Sequence, residues 1–267
     1  MDMSASDGKP SVVGVFDRSA ANYEQVGVEF FAPMGRALVE RAAIAEGARV
    51  LDVGCGRGHV LFPAAEAAGP SGSVVGTDLA EGMVALTASA AAHLPWVTVA
   101  VGDAGAPDFP DGSFDTVLAG LVIFFLPAPE EALAAYHRLL RPGGLLALST
   151  FGAQDPLFGT VVKTLSAFAP AGEGERPVDR FGDPASITAL LAGWADVEIT
   201  EHLVETRFPG RPVFWDWLWT HGLRALMEEI PESRLEEARA AVHAELPEAP
   251  FSLRTTLRVT TARKVSG

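Results

Sequence analysis

A chain of 267 residues, 48% of them hydrophobic, is long enough for one large α/β domain with a substantial core. The net charge of −14 excludes nucleic acid and anionic membrane surfaces as expected partners, because nothing would offset phosphate repulsion. The single cysteine, Cys55, excludes an intrachain disulfide and a Cys-rich zinc site, and no apolar run approaches the roughly 20 residues of a membrane helix. The polar start, Met1–Pro10, has no secretory apolar stretch, so a cytoplasmic protein is expected.

Met1 to Val13 read as a flexible lead-in, followed by an amphipathic helix over Phe16–Glu24 and a second over Pro33–Ala45. Arg49–Val53 is an apolar run broken by one acid, Asp52, and it leads into Gly54, Gly56 and Gly58. That pattern predicts a buried strand, a tight turn and a helix over His59–Ala68. Ser73–Thr77 is the second strand, ending at Asp78, with a helix over Ala80–His93. Val97–Val101 and Phe114–Gly120 are the third and fourth strands. A helix over Pro129–Leu140 and a sharp turn at Arg141–Gly144 precede a fifth strand, Leu145–Thr150. Strand–helix alternation with short joints predicts a mainly parallel sheet with helices on both faces and the strand ends on one rim. Beyond it come an apolar piece over Leu157–Phe168, a short helix over Pro184–Ala192, a strand over Asp196–Phe208, a helical stretch over Pro212–Leu246 and a final strand over Phe251–Val265.

The glycines favour a turn with positive φ and a backbone that a ligand can approach, beside the free N–H groups of a helix start. A lone Gly-x-Gly-x-x-Gly match is weak, and here its last position is His59. The spacing adds more. Asp78 ends the second strand about 20 residues beyond the glycines, where an acid accepts ribose hydroxyls. Asp103 ends the third strand within Gly102-Asp-Ala104, where a carboxylate can take an exocyclic amine and the Ala104 N–H a ring nitrogen. Asp52 places negative charge beside the cradle, which repels a pyrophosphate but not a ligand carrying an ammonium and a sulfonium.

Val50-Leu-Asp-Val-Gly-Cys-Gly-Arg-Gly58, Gly76-Thr-Asp78, Gly102-Asp-Ala104, Phe114-Asp115 and Leu140-Arg-Pro-Gly-Gly-Leu145 together resemble the ordered motifs of class I S-adenosylmethionine-dependent methyltransferases. The match covers roughly 49–151, and Phe16-Asp-Arg…Tyr23 and Glu81-Gly-Met83 resemble segments of the small-molecule branch. The resemblance implies a Rossmann-like seven-stranded sheet of order 3-2-1-4-5-7-6, with strand seven antiparallel and a helical lid. It implies that Asp52, Gly54, Cys55 and Gly56 hold the methionine end of S-adenosyl-L-methionine. Asp78 would bind the ribose, Leu79 and Met83 the adenine face, and Gly102, Asp103 and Ala104 the adenine edge. Gly120 and Tyr23 would border the methionine moiety. The expected organisation is a helical cover over 1–47, a cofactor-binding core over 48–151, and a C-terminal half over 152–267 with lid insertions at about 152–182 and 212–247.

The acceptor side rests on aromatic residues. Trp215 and Trp219 share one helical face, while Phe214, Trp217, Leu218 and His221 share another, so one side can close on the sheet and the other line a pocket. Phe16, Phe124, Phe125, Trp215 and Trp219 are the candidate acceptor contacts, against the alternative of an aromatic core. Together they predict a largely apolar pocket for a small or medium, apolar or aromatic metabolite, and the expected setting is natural-product biosynthesis. His221 is the candidate general base and His59 the second, since imidazole titrates near neutrality, whereas a carboxylate acceptor needs no base. No metal spacing is visible. Alternative readings are a peptide carboxylate or indole-like carbon as acceptor, a nicotinamide-dependent oxidoreductase, and a non-catalytic cofactor-binding protein.

Overall fold

The computed structural model describes residues 12–23, 26–170 and 180–265. Seven strands form one sheet: β1 Arg49–Val53, β2 Ser73–Asp78, β3 Val97–Val101, β4 Phe114–Gly120, β5 Leu140–Gln154, β6 Ala195–Phe208 and β7 Phe251–Arg263. Their order is β3-β2-β1-β4-β5-β7-β6. The first five are parallel, and β7 runs antiparallel to both β5 and β6. This is the order and the strand direction that the resemblance implies.

Side chains alternate across the sheet and separate two cores. Val50, Leu118 and Ala147 face one core, while Leu51, Val117, Leu146 and Leu148 face the other. The first face is covered by helices α2 (Phe31–Ala42), α3 (Leu61–Ala68) and α6 (Pro156–Ser166), which bring Leu38, Ala64 and Leu165. The second is covered by α5 (Pro129–Leu139) and α7 (Pro184–Leu190), through Leu133, Tyr136 and Ile187. Helix α4 (Glu81–Ala91) lies beside β3, and α1 (Val12–Ser19) packs on α4 through Ala20 and Met83 at its end.

Three local expectations are corrected. The first helix begins earlier than Phe16 and ends at Ser19, while Glu24 and residues 1–11 of the lead-in lie outside the described residues. Arg141–Gly144 is not a turn ahead of β5 but an irregularity inside it. The β4 pairing jumps from Phe114↔Leu140 to Thr116↔Leu145, and Gly143 takes a φ of +71° to absorb the extra residues. The stretch 212–246 is not one helix but α8 (Arg211–Leu218), α9 (Arg224–Glu229) and α10 (Leu235–Glu245). Pro231 has no N–H to continue a helix and holds Ile230 in an extended conformation. Among the described residues no helix is long and apolar enough to cross a membrane.

Candidate active site

The parallel strands end on one rim, and a cavity of about 630 Å³ opens there, within the roughly 300–1,000 Å³ of small-molecule and cofactor sites. Its polar half is built by the first three strands. β1 ends at Val53, and the chain reverses through Gly54 and Gly56 at φ +68° and +48°. A Cβ at Gly56 would meet nothing within 4 Å, so this backbone faces open space. The turn is held from outside. Asp78 accepts the Gly56 N–H through Oδ2 and the Ala80 N–H through Oδ1, both at 2.9 Å, and Thr87 Oγ1 donates to the Gly56 carbonyl at 2.7 Å. Helix α2 presses so close that a Cβ on Gly35 would lie 2.1 Å from the His59 carbonyl oxygen.

Of the residues expected to hold the cofactor, Tyr23, Gly54, Cys55, Gly56, Asp78 and Leu79 line this cavity. So do Met83, Gly102, Asp103, Ala104 and Gly120. Leu79 is 43% exposed, an apolar side chain at the mouth with space in front of it. Ala104 is fixed by a residue that no motif marks: the buried Tyr136 hydroxyl of α5 donates to its carbonyl at 2.7 Å.

Asp52 is the exception. It does not line the cavity, because alternation along β1 turns it to the Val50 face of the sheet. Its side chain is 1% exposed and neither carboxylate oxygen has a hydrogen-bond partner among the described residues. Burial, reinforced by the Asp78 charge, holds its carboxyl well above the usual range. Burial likewise pushes the Cys55 thiol up, with Asp52 and Asp78 adding to it, which suits a small turn residue and not a nucleophile. An uncompensated buried acid beside an open, glycine-lined cradle fits a cationic ligand.

The other half of the cavity is apolar and comes from distant segments. Phe16, Phe124 and Phe125 line it as expected, the last two on a short 3-10 turn after β4. Trp215 and Trp219 do not. Trp215 is buried against His243, and Trp219 lines a separate hollow with Asn22 and Asp216. The opposite face of α8 reaches the cavity instead, through Trp217 and, just past the helix, His221. Phe208 and Phe251 beneath α8 pack on Phe214 and set this rotation. Phe30, Phe31, Phe151 and Phe158 complete the wall. None of these four was singled out from the sequence, since each reads there as an ordinary core residue.

His221 is 6% exposed, and its ring lies 4.3 Å from that of Trp217. Its Nδ1 accepts the Leu223 N–H at 3.2 Å. That contact engages the Nδ1 lone pair, so an acid–base role of this ring would fall to Nε2. His59 lines the cavity on the cradle side, its ring beside those of Tyr23 and Phe31, which stack on each other with centroids 5.1 Å apart. Asp115 lies away from the cavity and binds the Arg49 N–H and the Arg141 guanidinium, a structural role.

Residues 51–148 match a family model described as a methyltransferase domain. The nocamycin O-methyltransferase of Saccharothrix syringae is 41% identical over 250 residues, 87% of this chain and 88% of that protein. The aklanonic acid methyltransferase of a Streptomyces species is 44% identical over 150 residues, 55% of this chain and 68% of that one. The solved structure of phosphoethanolamine N-methyltransferase 2 of Haemonchus contortus with S-adenosyl-L-methionine shares the fold, with a TM-score of 0.57 at 18% identity, over 95% of this chain and 57% of that one.

Proposed function

The chain belongs to the class I S-adenosylmethionine-dependent methyltransferases, and on that premise we propose that it methylates a carboxylate oxygen of a small or medium apolar metabolite. Family membership displaces the nicotinamide reading. The observation that carries the acceptor is the engaged lone pair of His221. With Nδ1 occupied by a backbone N–H, the chamber favours an acceptor that arrives ionised and needs no base. The names of the relatives agree: one is an O-methyltransferase and the other is named for an acid.

When bound, S-adenosylmethionine supplies a methyl carbon activated by a positive sulfur. The chain's part is to align and to exclude water. Asp78 and Asp103 seat the nucleoside, and the Gly54–Gly56 backbone admits the methionine end. Asp52, buried behind the cradle, would favour a cation there once it ionises, while the rings of Phe31, Phe124, Phe151 and Trp217 dry the space where the acceptor oxygen approaches. Among the described residues, we assign those up to 47 as a helical cover, 48–151 as the cofactor core, and those within about 152–182 and 212–247 as lid segments of the C-terminal half.

The test is a matched panel of aromatic carboxylic acids, phenols and amines incubated with the protein and S-adenosylmethionine. Mass spectrometry should show single methylation of acids, and alkali should remove it as an ester does. Methylation confined to amines, or products stable to alkali, would overturn the assignment.

A further inference from the structure

We propose that Gly222 sets the size of the acceptor that this chain admits, an inference that rests on the apolar-acceptor reading above. The outer wall of the chamber is a seam between two rings. Phe16 of α1 and Phe125 meet edge-on with centroids 5.4 Å apart, and Phe125 is 40% exposed, a rim residue and not a core one. The loop between α8 and α9 lies over this seam, and Gly222 lines the cavity there. A Cβ at Gly222 would stand 3.7 Å from Phe125 Cζ and 3.9 Å from Phe16 Cζ, touching both rings at ordinary van der Waals distance.

Nothing in the backbone requires glycine at this position. Gly222 is not among the residues with positive φ, and no atom crowds the Cβ. Gly35 and Gly54 differ: one would put its Cβ 2.1 Å from a carbonyl oxygen, the other 2.5 Å from Val122. The loop is also pinned around Gly222. Leu223 N–H bonds to His221 Nδ1, Arg224 N–H to the His221 carbonyl at 2.9 Å, and Ala225 N–H to the Gly222 carbonyl at 3.3 Å. Arg224 and Arg18 both hold Glu228, which ties the loop's far end to the helix carrying Phe16. A side chain at 222 therefore cannot swing aside with its loop. It enters the seam and removes space that a multi-ring acceptor needs, while the cradle at Asp78 and Asp103 stays as it is.

The experiment compares the native chain with Gly222→Ala and Gly222→Leu, using benzoic acid and anthraquinone-2-carboxylic acid as one-ring and three-ring acceptors. Gly222→Ala should lower kcat/KM for the three-ring acid less than Gly222→Leu does. Gly222→Leu should lower kcat/KM for the three-ring acid about tenfold or more and leave the one-ring acid nearly unchanged, with S-adenosylhomocysteine affinity held. Adding Phe125→Ala to Gly222→Leu should reopen the seam and recover the three-ring acid. Equal losses on both acids, loss of S-adenosylhomocysteine binding, or no recovery in the double variant would overturn the proposal. If the native chain methylates neither acid, the carboxylate reading fails by itself, and the seam is then read by anilinonaphthalene sulfonate binding to the S-adenosylhomocysteine-loaded protein. Dye affinity weakened by Gly222→Leu supports the gate, and unchanged dye affinity overturns it.

Discussion

The two halves of one cavity are built by opposite rules. The cradle half comes from the ends of β1, β2 and β3 and uses backbone: N–H groups, positive φ, and carboxylates that hold a turn in place. The acceptor half comes from α1, α2, the turn after β4, the end of β5, α6 and α8, and uses ring surface. Backbone geometry tolerates almost no change of residue type, whereas a ring wall can be rebuilt from other apolar side chains of similar volume. The cradle should therefore fail abruptly on substitution, and the chamber should drift in preference.

The sharpest way to break that contrast is Gly56→Val. The residue sits at φ +48° with open space where its Cβ would point, so a side chain there occupies cofactor space and strains the turn by about 1–2 kcal/mol. We expect S-adenosylmethionine affinity to fall about a hundredfold or more by calorimetry, equivalent to about 2.7 kcal/mol, with a cooperative unfolding transition retained. Undiminished affinity would remove the glycine cradle from the site.

The same contrast explains what could be read before folding. Gly54, Gly56, Asp78 and Asp103 are legible because a glycine turn and strand-end acids at those spacings carry the family resemblance, and the sheet order came from that resemblance and not from the pattern. Phe30, Phe31, Phe151 and Phe158 were illegible because a ring lining a chamber and a ring filling a core obey the same hydrophobic pattern. The α8 tryptophans show the limit closely. Their division into two faces was readable from helical spacing, but which face met the cavity was decided by Phe208 and Phe251, distant in sequence. Asp52 failed differently. The sequence placed its carboxyl beside the cradle, but its direction depended on the phase of β1, which turns it into the sheet, where burial raises its pKa.

Asp52 also supplies a graded test of the cradle. Its folded carboxyl titrates above its unfolded value, chiefly through burial and then through Asp78. The native state therefore holds the proton more tightly. Stability falls as pH rises from the ordinary carboxylate value through the raised one, and the full cost stands above it. Asp52→Asn should raise the Tm of the cofactor-free protein at neutral pH. It should also weaken S-adenosylmethionine binding about tenfold, the equivalent of one pKa unit of lost charge interaction. Native affinity should strengthen as pH rises through the Asp52 titration, and the variant should lose that slope. A variant that binds as tightly as the native chain and keeps the slope would exclude Asp52 from the cofactor's field.

The smallest effect belongs where α9 is tied to α1. Glu228 of α9 accepts from Arg18 of α1 through Nε at 2.9 Å and through a second contact, and from Arg224 Nε at 2.7 Å, while Arg224 Nη1 donates to the Arg18 carbonyl. The hydrogen bond from Arg18 first, and that from Arg224 against the cost of burial, lower its carboxyl to about 2. A depressed folded value means that this contribution is present above the unfolded value of 4.5 and is lost as pH falls from there toward about 2. Glu228→Gln should lower Tm by about 2–4 °C at pH 7, the scale of about 1 kcal/mol in a chain this large. The difference should shrink as the native protein is acidified below pH 4. Because α1 carries Phe16 and packs against Met83, the variant should also release S-adenosylhomocysteine faster in stopped-flow displacement. A Tm difference that persists unchanged at pH 3 would place its origin outside the Glu228 carboxylate, and an unaltered release rate would separate the tie from access to the cradle.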